Sequence, residues 1–306
     1  MGYGPARGLF LSTAANSPRP KSTVWCPSAT AAQLDNLDPL NRGFLLVKEE
    51  EGIVLLGSPI GSREFEREAI ERRIGKVREI SDRLPLMQDA QSEFVLLRSC
   101  LSIPKIMFTL RTTNPTDHQN LWQNFDNITR ETLSRILGVP VNDCQWKQAQ
   151  LPVSKGGLGL RAALDHAPAA YITSLLSSQD MKESILDLTS EECPPAISTA
   201  LMDCLAAKMG EDVTINSLQG VSQREVSLKI DLHYLQLLTD HISELGVTRD
   251  IARLACLGLP HAGDWLNVVP SPALGLHLRP TEFIVSVKYR LGVNIFSTDG
   301  QSILFR

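Results

Sequence analysis

Up to about residue 61 the apolar positions fall in short extended runs, and beyond it they recur at helical spacing. Thr23-Val24-Trp25, Phe44-Leu45-Leu46-Val47 and Ile53-Val54-Leu55-Leu56 are rich in strand formers. The last two runs flank Lys48-Glu49-Glu50-Glu51-Gly52, a pattern that predicts a small hairpin. Gly57, Pro59 and Gly61 punctuate the chain before Ser62, an N-cap residue with Glu64, Glu66 and Glu68 just inside, where carboxylates favour a helix start. From about Arg63 to Leu84, the residues Ile70, Ile74, Val77, Ile80 and Leu84 recur three and four apart and predict one buried stripe, which Pro85 closes. Further helices are predicted over about 89–101 and 105–111, parted by Pro104. Another runs from about Thr116 to Gly138 on a face of Leu121, Phe125, Ile128, Thr132, Leu133, Ile136 and Leu137. A glycine-rich loop at 151–161 leads to a helix over about 162–177. Others follow near 196–209, 221–245, 248–257 and from Pro280 to Gly292.

The fold class expected is therefore mainly α: a short β-hairpin, a helical bundle and a second helical unit. The divisions expected are 1–61 for a disordered start and the strands, 62–178 for the bundle, 179–220 for an acidic linker region with a helix, and 221–306 for the C-terminal helical unit.

Composition narrows the partners more than it names a function. The chain has 306 residues, 43% hydrophobic and 21% charged, with a net charge of −4, so it exerts no global pull on nucleic acid or anionic lipid. Such a partner has to be met by a local basic face. No run approaches the roughly 18 uncharged apolar residues of a membrane span, which predicts no membrane partner. Cys26, Cys100, Cys144, Cys193, Cys204 and Cys256 show no metal-ligand spacing and read as reduced, mostly buried thiols of an intracellular protein, cytoplasmic or nuclear. Residues 1–34 carry Arg7, Arg19 and Lys21 and no acid, a composition that loosely imitates a transit peptide, although Pro5, Pro18 and Pro20 forbid a continuous amphipathic helix there.

Catalytic signatures are sparse. G-x-S-x-G is absent, His118, His166, His233, His241, His261 and His277 do not pair at ligand spacing, and the adjacent acids look like solvated charge rather than the paired carboxylates of a two-metal site. The glycines of 151–161 match neither phosphate-loop pattern, so that segment reads as a structural turn. No cofactor is implied. One stretch differs locally: between Glu93 and Asp117 there is no acid, while Arg98, Lys105 and Arg111 fall there. These three are the candidate phosphate contacts, against the alternative that they only solvate an exposed helical face.

Several segments taken in order resemble the back half of a reverse transcriptase of the non-LTR retrotransposon type. Gly8-Leu9-Phe10-Leu11, then Lys21-Ser22-Thr23-Val24-Trp25-Cys26-Pro27, is similar to the segment that follows the catalytic aspartates in that family, with Ser12 to Pro20 intervening before the lysine. Leu56-Gly57-Ser58-Pro59-Ile60-Gly61 resembles its primer-gripping hairpin. Leu97-Arg98-Ser99-Cys100 to Leu110-Arg111, Ile136-Leu137-Gly138-Val139-Pro140, and Leu151-Pro152-Val153-Ser154 with Gly156-Gly157-Leu158-Gly159-Leu160-Arg161 resemble the helical thumb and its extension. Pro260-His261-Ala262-Gly263-Asp264-Trp265-Leu266 and Glu282-Phe283 to Tyr289-Arg290-Leu291-Gly292 resemble the region beyond. The resemblance implies palm-remnant strands followed by a thumb-like bundle, with the metal-holding aspartates lying before Met1. The chain would then be a truncated, retroelement-derived protein, not an enzyme, that retains weak RNA or DNA binding. Lys21 would match the lysine that protonates departing pyrophosphate, and Arg98, Lys105 and Arg111 the thumb face turned to template and primer. The other class of function expected is a helical protein–protein interaction module.

Overall fold

The computed structural model describes residues 10–13, 22–25, 44–47, 52–187 and 194–295. The expected disordered start, Lys21, Cys26, Lys48 to Glu51, Glu191-Glu192 and Cys193 lie outside those residues. The described chain is mainly helical, with five strands of four residues each near its start. It divides into two compact units, 1–73 and 74–306.

In the first unit β1 (Phe10–Thr13) runs antiparallel to β2 (Ser22–Trp25), which pairs in parallel with β3 (Phe44–Val47). The hairpin is made by β4 (Gly52–Leu55) and β5 (Ser58–Gly61), with Ile53 opposite Ile60. This corrects the expected pairing: β3 belongs to the three-stranded sheet, and β4 turns back on the segment read as punctuation. The cause is local. Leu56 and Gly57 have φ of 49° and 91°, and a two-residue turn with both central residues left-handed has the twist that a hairpin needs. Pro59, which lacks an N–H, is tolerated because a two-stranded ribbon has only edges. Ile60 packs on the buried pair Val47 and Ile53, and the Arg73 guanidinium donates to the Gly57 carbonyl.

Helix α1 (Arg63–Arg83) starts at Ser62, whose hydroxyl accepts the Phe65 N–H at 3.2 Å. Ile70, Ile74, Val77 and the following Leu84 are buried as the spacing predicts. Ile80 is not: it is 41% exposed, and Ser81 takes its place at 1%. At 100° per residue Ser81 lies about 20° from Ile74 around the axis and Ile80 about 120°.

The second unit continues with α2 (Ala90–Leu96), a π-helical turn (Leu97–Leu101) and α3 (Ile103–Thr112). The chain breaks at Ser102, not at Pro104, because Pro104 sits in the first turn of α3, where its missing N–H leaves nothing unpaired. Helix α4 (Gln119–Leu137) buries the whole predicted face and stops at Gly138. Then come α5 (Asp143–Gln150), which the pattern had not disclosed and which a reciprocal Asn142–Gln145 cap fixes, α6 (Ala163–Ser177), α7 (Gln179–Leu186), α8 (Thr199–Met209), α9 (Ile215–Leu218), α10 (Gln223–Glu244), α11 (Thr248–Leu257) and α12 (Pro280–Arg290).

Helix α6 is the axis of this unit and packs on α3, α4, α8 and α10. Its Ala163, Ala167, Ala169 and Ala170 are fully buried, and side chains this small let the neighbouring helices approach closely. Ala169 and Ile172 of α6 share one apolar cluster with Leu201, Leu205 and Met209 of α8, Leu218 of α9, and Val226 and Ile230 of α10. A second cluster joins Leu151 with Leu238 and Ile242 of α10 and Leu254 of α11. Among the described residues no helix is long and apolar enough to cross a membrane.

Candidate nucleic-acid interface

The sequence candidates do not form one row. Lys105 and Arg111 are both exposed on α3, but six residues put them about 120° apart around the helix and about 9 Å apart along it. Arg98 lies in the π-helical turn, half-buried, with its guanidinium carbon 5.6 Å from the Phe94 ring centroid and its Nη1 buried without a partner. Burial pulls its pKa below the usual arginine value. Lys21 lies outside the described residues. Of the three described, Arg111 lines a concave site.

That site forms where one face of α3, the entry to α6 and the first two turns of α10 meet. A cavity of about 210 Å³ is lined by Ile103, Met107, Arg111, Arg161, His166, Gln223, Arg224 and Ser227. Gln223 is the hinge of the arrangement. Its amide oxygen accepts from Arg111 Nε at 2.8 Å and its amide nitrogen donates to Met107 Sδ at 3.1 Å, so Arg111 is oriented while its terminal nitrogens have no partner among the described residues. Beyond Arg111 and Gln223, which serve as a common wall, lies a cavity of about 300 Å³ lined also by Thr173, Ser174, Ser177, Val221 and Ser222.

The floor of the smaller cavity is charged. Asp231, only 2% exposed, accepts a two-pronged bond from Arg161, with Nε at 3.2 Å and Nη2 at 2.5 Å from Oδ2. His166, 4% exposed, places Nε2 3.5 Å from Asp231 Oδ1, and its Nδ1 is buried without a partner. A buried carboxylate is sustained only when it is paired, and the Arg161 fork supplies the pairing. Arg224 is exposed and has no ion pair among the described residues. Ser222 caps α10 reciprocally with Glu225, so this helix of 22 residues begins at a fixed point beside the cavity.

Two further carboxylates hold the frame. Asp126 on α4 is buried and accepts the Ala163 and Leu164 N–H groups at 2.7 and 3.0 Å, capping α6 from a neighbouring helix. Burial pushes its carboxyl up to about 7. Asp165 accepts from Lys208 at 2.5 Å and from the Tyr234 hydroxyl at 2.9 Å, so its charge is spent on α8 and α10.

The glycine-rich loop is a structural turn. Its Gly156, Gly157, Leu158, Gly159 and Leu160 amides all donate to carbonyls of residues 149–153, so none is left for an anion. A Cβ at Gly157 would meet the Leu151 carbonyl oxygen at 2.0 Å, which is why that position has no side chain. The loop carbonyls are held by Gln148 on Gly156 and by Arg290 on Gly157 and Val153. Among the described residues no three His, Cys, Asp or Glu side chains come together to hold a metal ion.

Sequence reasoning missed Arg161, His166, Arg224 and Asp231. The capping box Ser222-x-x-Glu225 does mark the start of α10, and hence Arg224 in its first turn. The pairing of Arg161 and His166 with Asp231 spans 65 residues or more and leaves no spacing signal. No protein-family model matches the chain, and no curated protein or solved structure matches it either.

Proposed function

We propose that the chain is a helical nucleic-acid-binding module of the non-LTR reverse-transcriptase type, without polymerase chemistry of its own, that grips strand phosphates where α3, α6 and α10 meet. One observation carries this reading: three arginines from separate elements converge on one cavity in a chain whose net charge is −4. Positive charge that the composition does not supply globally is concentrated locally, and phosphate neutralisation is the main source of sequence-independent affinity. The sequence resemblance supports it independently, since α3 falls on the segment similar to the template-facing thumb.

The test is the salt dependence of binding to a short single-stranded oligonucleotide, followed by fluorescence anisotropy. Arg111→Ala combined with Arg224→Ala alters two exposed side chains, so the fold survives. At about 0.7 per phosphate contact, the log–log slope should flatten by about 1 to 1.5. Unchanged binding in the double variant overturns the reading, as does salt-tolerant self-association as the only interaction, which would favour a protein–protein module. Template-directed primer extension by the purified chain with magnesium or manganese would overturn the absence of polymerase chemistry.

A further inference from the structure

The smaller cavity differs from a groove that tracks a phosphodiester backbone. At about 210 Å³ it falls below the roughly 300–1,000 Å³ of sites that enclose a drug-sized ligand, so a nucleoside does not fit inside and a single small anion does. Its charge is also larger than one phosphodiester requires. Three guanidiniums, those of Arg111, Arg161 and Arg224, stand against the one carboxylate of Asp231, and Asp165 nearby is already neutralised by Lys208. An excess of two positive charges matches a phosphomonoester, which carries about −1.5 to −2 at pH 7, better than the single charge of an internal linkage. The wall holds a buried ring nitrogen with no partner among the described residues: His166 Nδ1, which donates when it carries the ring proton. Buried polar atoms are nearly always satisfied, and an orphan on the wall of a cationic cavity is where a ligand oxygen belongs. Arg111 and Gln223 also line the larger cavity, where the Ser174 hydroxyl is placed to meet whatever follows the anion.

We infer that the cavity bounded by Arg111, Arg161, His166 and Arg224 seats the terminal phosphomonoester of a nucleic-acid strand, with the adjoining sugar and the next linkage lying in the serine-lined cavity. This rests on the nucleic-acid reading above and makes the chain a reader of phosphorylated strand ends.

The experiment uses the full chain and three oligonucleotides of one sequence, carrying a 5′-phosphate, a 3′-phosphate or neither, with inorganic phosphate as a separate probe. One phosphorylated form should bind about tenfold or more tightly than the unphosphorylated strand, as expected for charge-assisted bonds formed with a second anionic charge. That advantage should vanish in His166→Gln, whose amide reaches the place of Nε2 and leaves nothing at Nδ1, while the residual binding of the unphosphorylated strand persists. Because His166 is buried, Arg224→Ala on an exposed side chain is measured beside it: it should weaken all three strands and shrink the ratio of phosphorylated to unphosphorylated binding, and an unchanged ratio overturns the inference. Equal binding of all three strands with a steep salt slope overturns the inference and leaves the nucleic-acid reading standing. Stabilisation of the chain by inorganic phosphate, with no strand bound, overturns the strand-end assignment in favour of a free-phosphate site and removes the nucleic-acid reading with it. No response to any of the four probes overturns both.

Discussion

Leu56 sits at the tip of the β4–β5 hairpin with φ of 49° and is 91% exposed. A side chain with Cβ in the left-handed region costs about 1–2 kcal/mol, and at this exposure leucine recovers almost nothing by packing. Leu56→Asn should therefore raise the stability of the hairpin unit by about 1 kcal/mol, read as an upward shift in its thermal midpoint. An unchanged or lowered midpoint would mean that the leucine is held by contacts its exposure does not suggest. Strain retained at an exposed apolar tip points to a task for that tip, and in the sequence resemblance Leu56 and Gly57 fall on the hairpin that grips a primer. Leu56→Asn thus separates cost from use, since binding should weaken if the tip touches a strand even as stability rises.

At the scale of elements, the helix start of α6 depends on Asp126, a residue of α4. Its carboxyl is pushed up to about 7 by burial, against about 3.9 in an unfolded chain. Between pH 4 and 7 the folded state then holds a proton that the unfolded state has released. The stabilisation from this group is full below pH 4 and is lost as the pH rises through about 7. Asp126→Asn should flatten that part of the stability profile, measured by denaturant unfolding at a series of pH values. Parallel profiles for the two proteins would exclude Asp126 as the source. Elements of this kind were legible to different depths. The face of α4 could be read residue by residue because six apolar positions and Thr132 recur at helical spacing along a helix of nineteen residues. The hairpin was misassigned because two strand-like runs compete for one partner, and a left-handed leucine gives no turn signal. Ile80 and Ser81 show the limit of counting apolar residues: helical geometry decides which of two neighbours faces inward, and a serine won. The cavity was legible only through Arg111, since its other walls come from segments brought together by packing of α6 on α3 and α10.

Across the second unit, Arg290 ties together segments far apart in sequence. Fully buried, its guanidinium donates to the carbonyls of Gly157 at 2.9 Å, Ala262 at 3.1 Å and Val153 at 2.6 Å, and burial lowers its pKa to about 10. Gln148 Nε2 and Arg253 Nη1 donate in turn to the Arg290 carbonyl. Arg290→Met would leave the carbonyls of Gly157 and Ala262 unpaired and take one of two donors from Val153, so the expected loss is about 3 kcal/mol, seen in the denaturant midpoint. A loss below about 1 kcal/mol would mean that water replaces the guanidinium. Helix α10 carries the same logic along its length. Its 22 residues extend about 33 Å, with Arg224 beside the cavity, Val226 and Ile230 in one apolar cluster, and Leu238 and Ile242 in the other. A strut shared by two cores opens only when both give way. Its central amides, from about Ile230 to Leu238, should be among the slowest in the chain to exchange with deuterium, and their exchange should track global unfolding rather than local fraying. If they exchange as fast as the amides of α7, the two cores melt separately, and α10 is a joint between them rather than a strut.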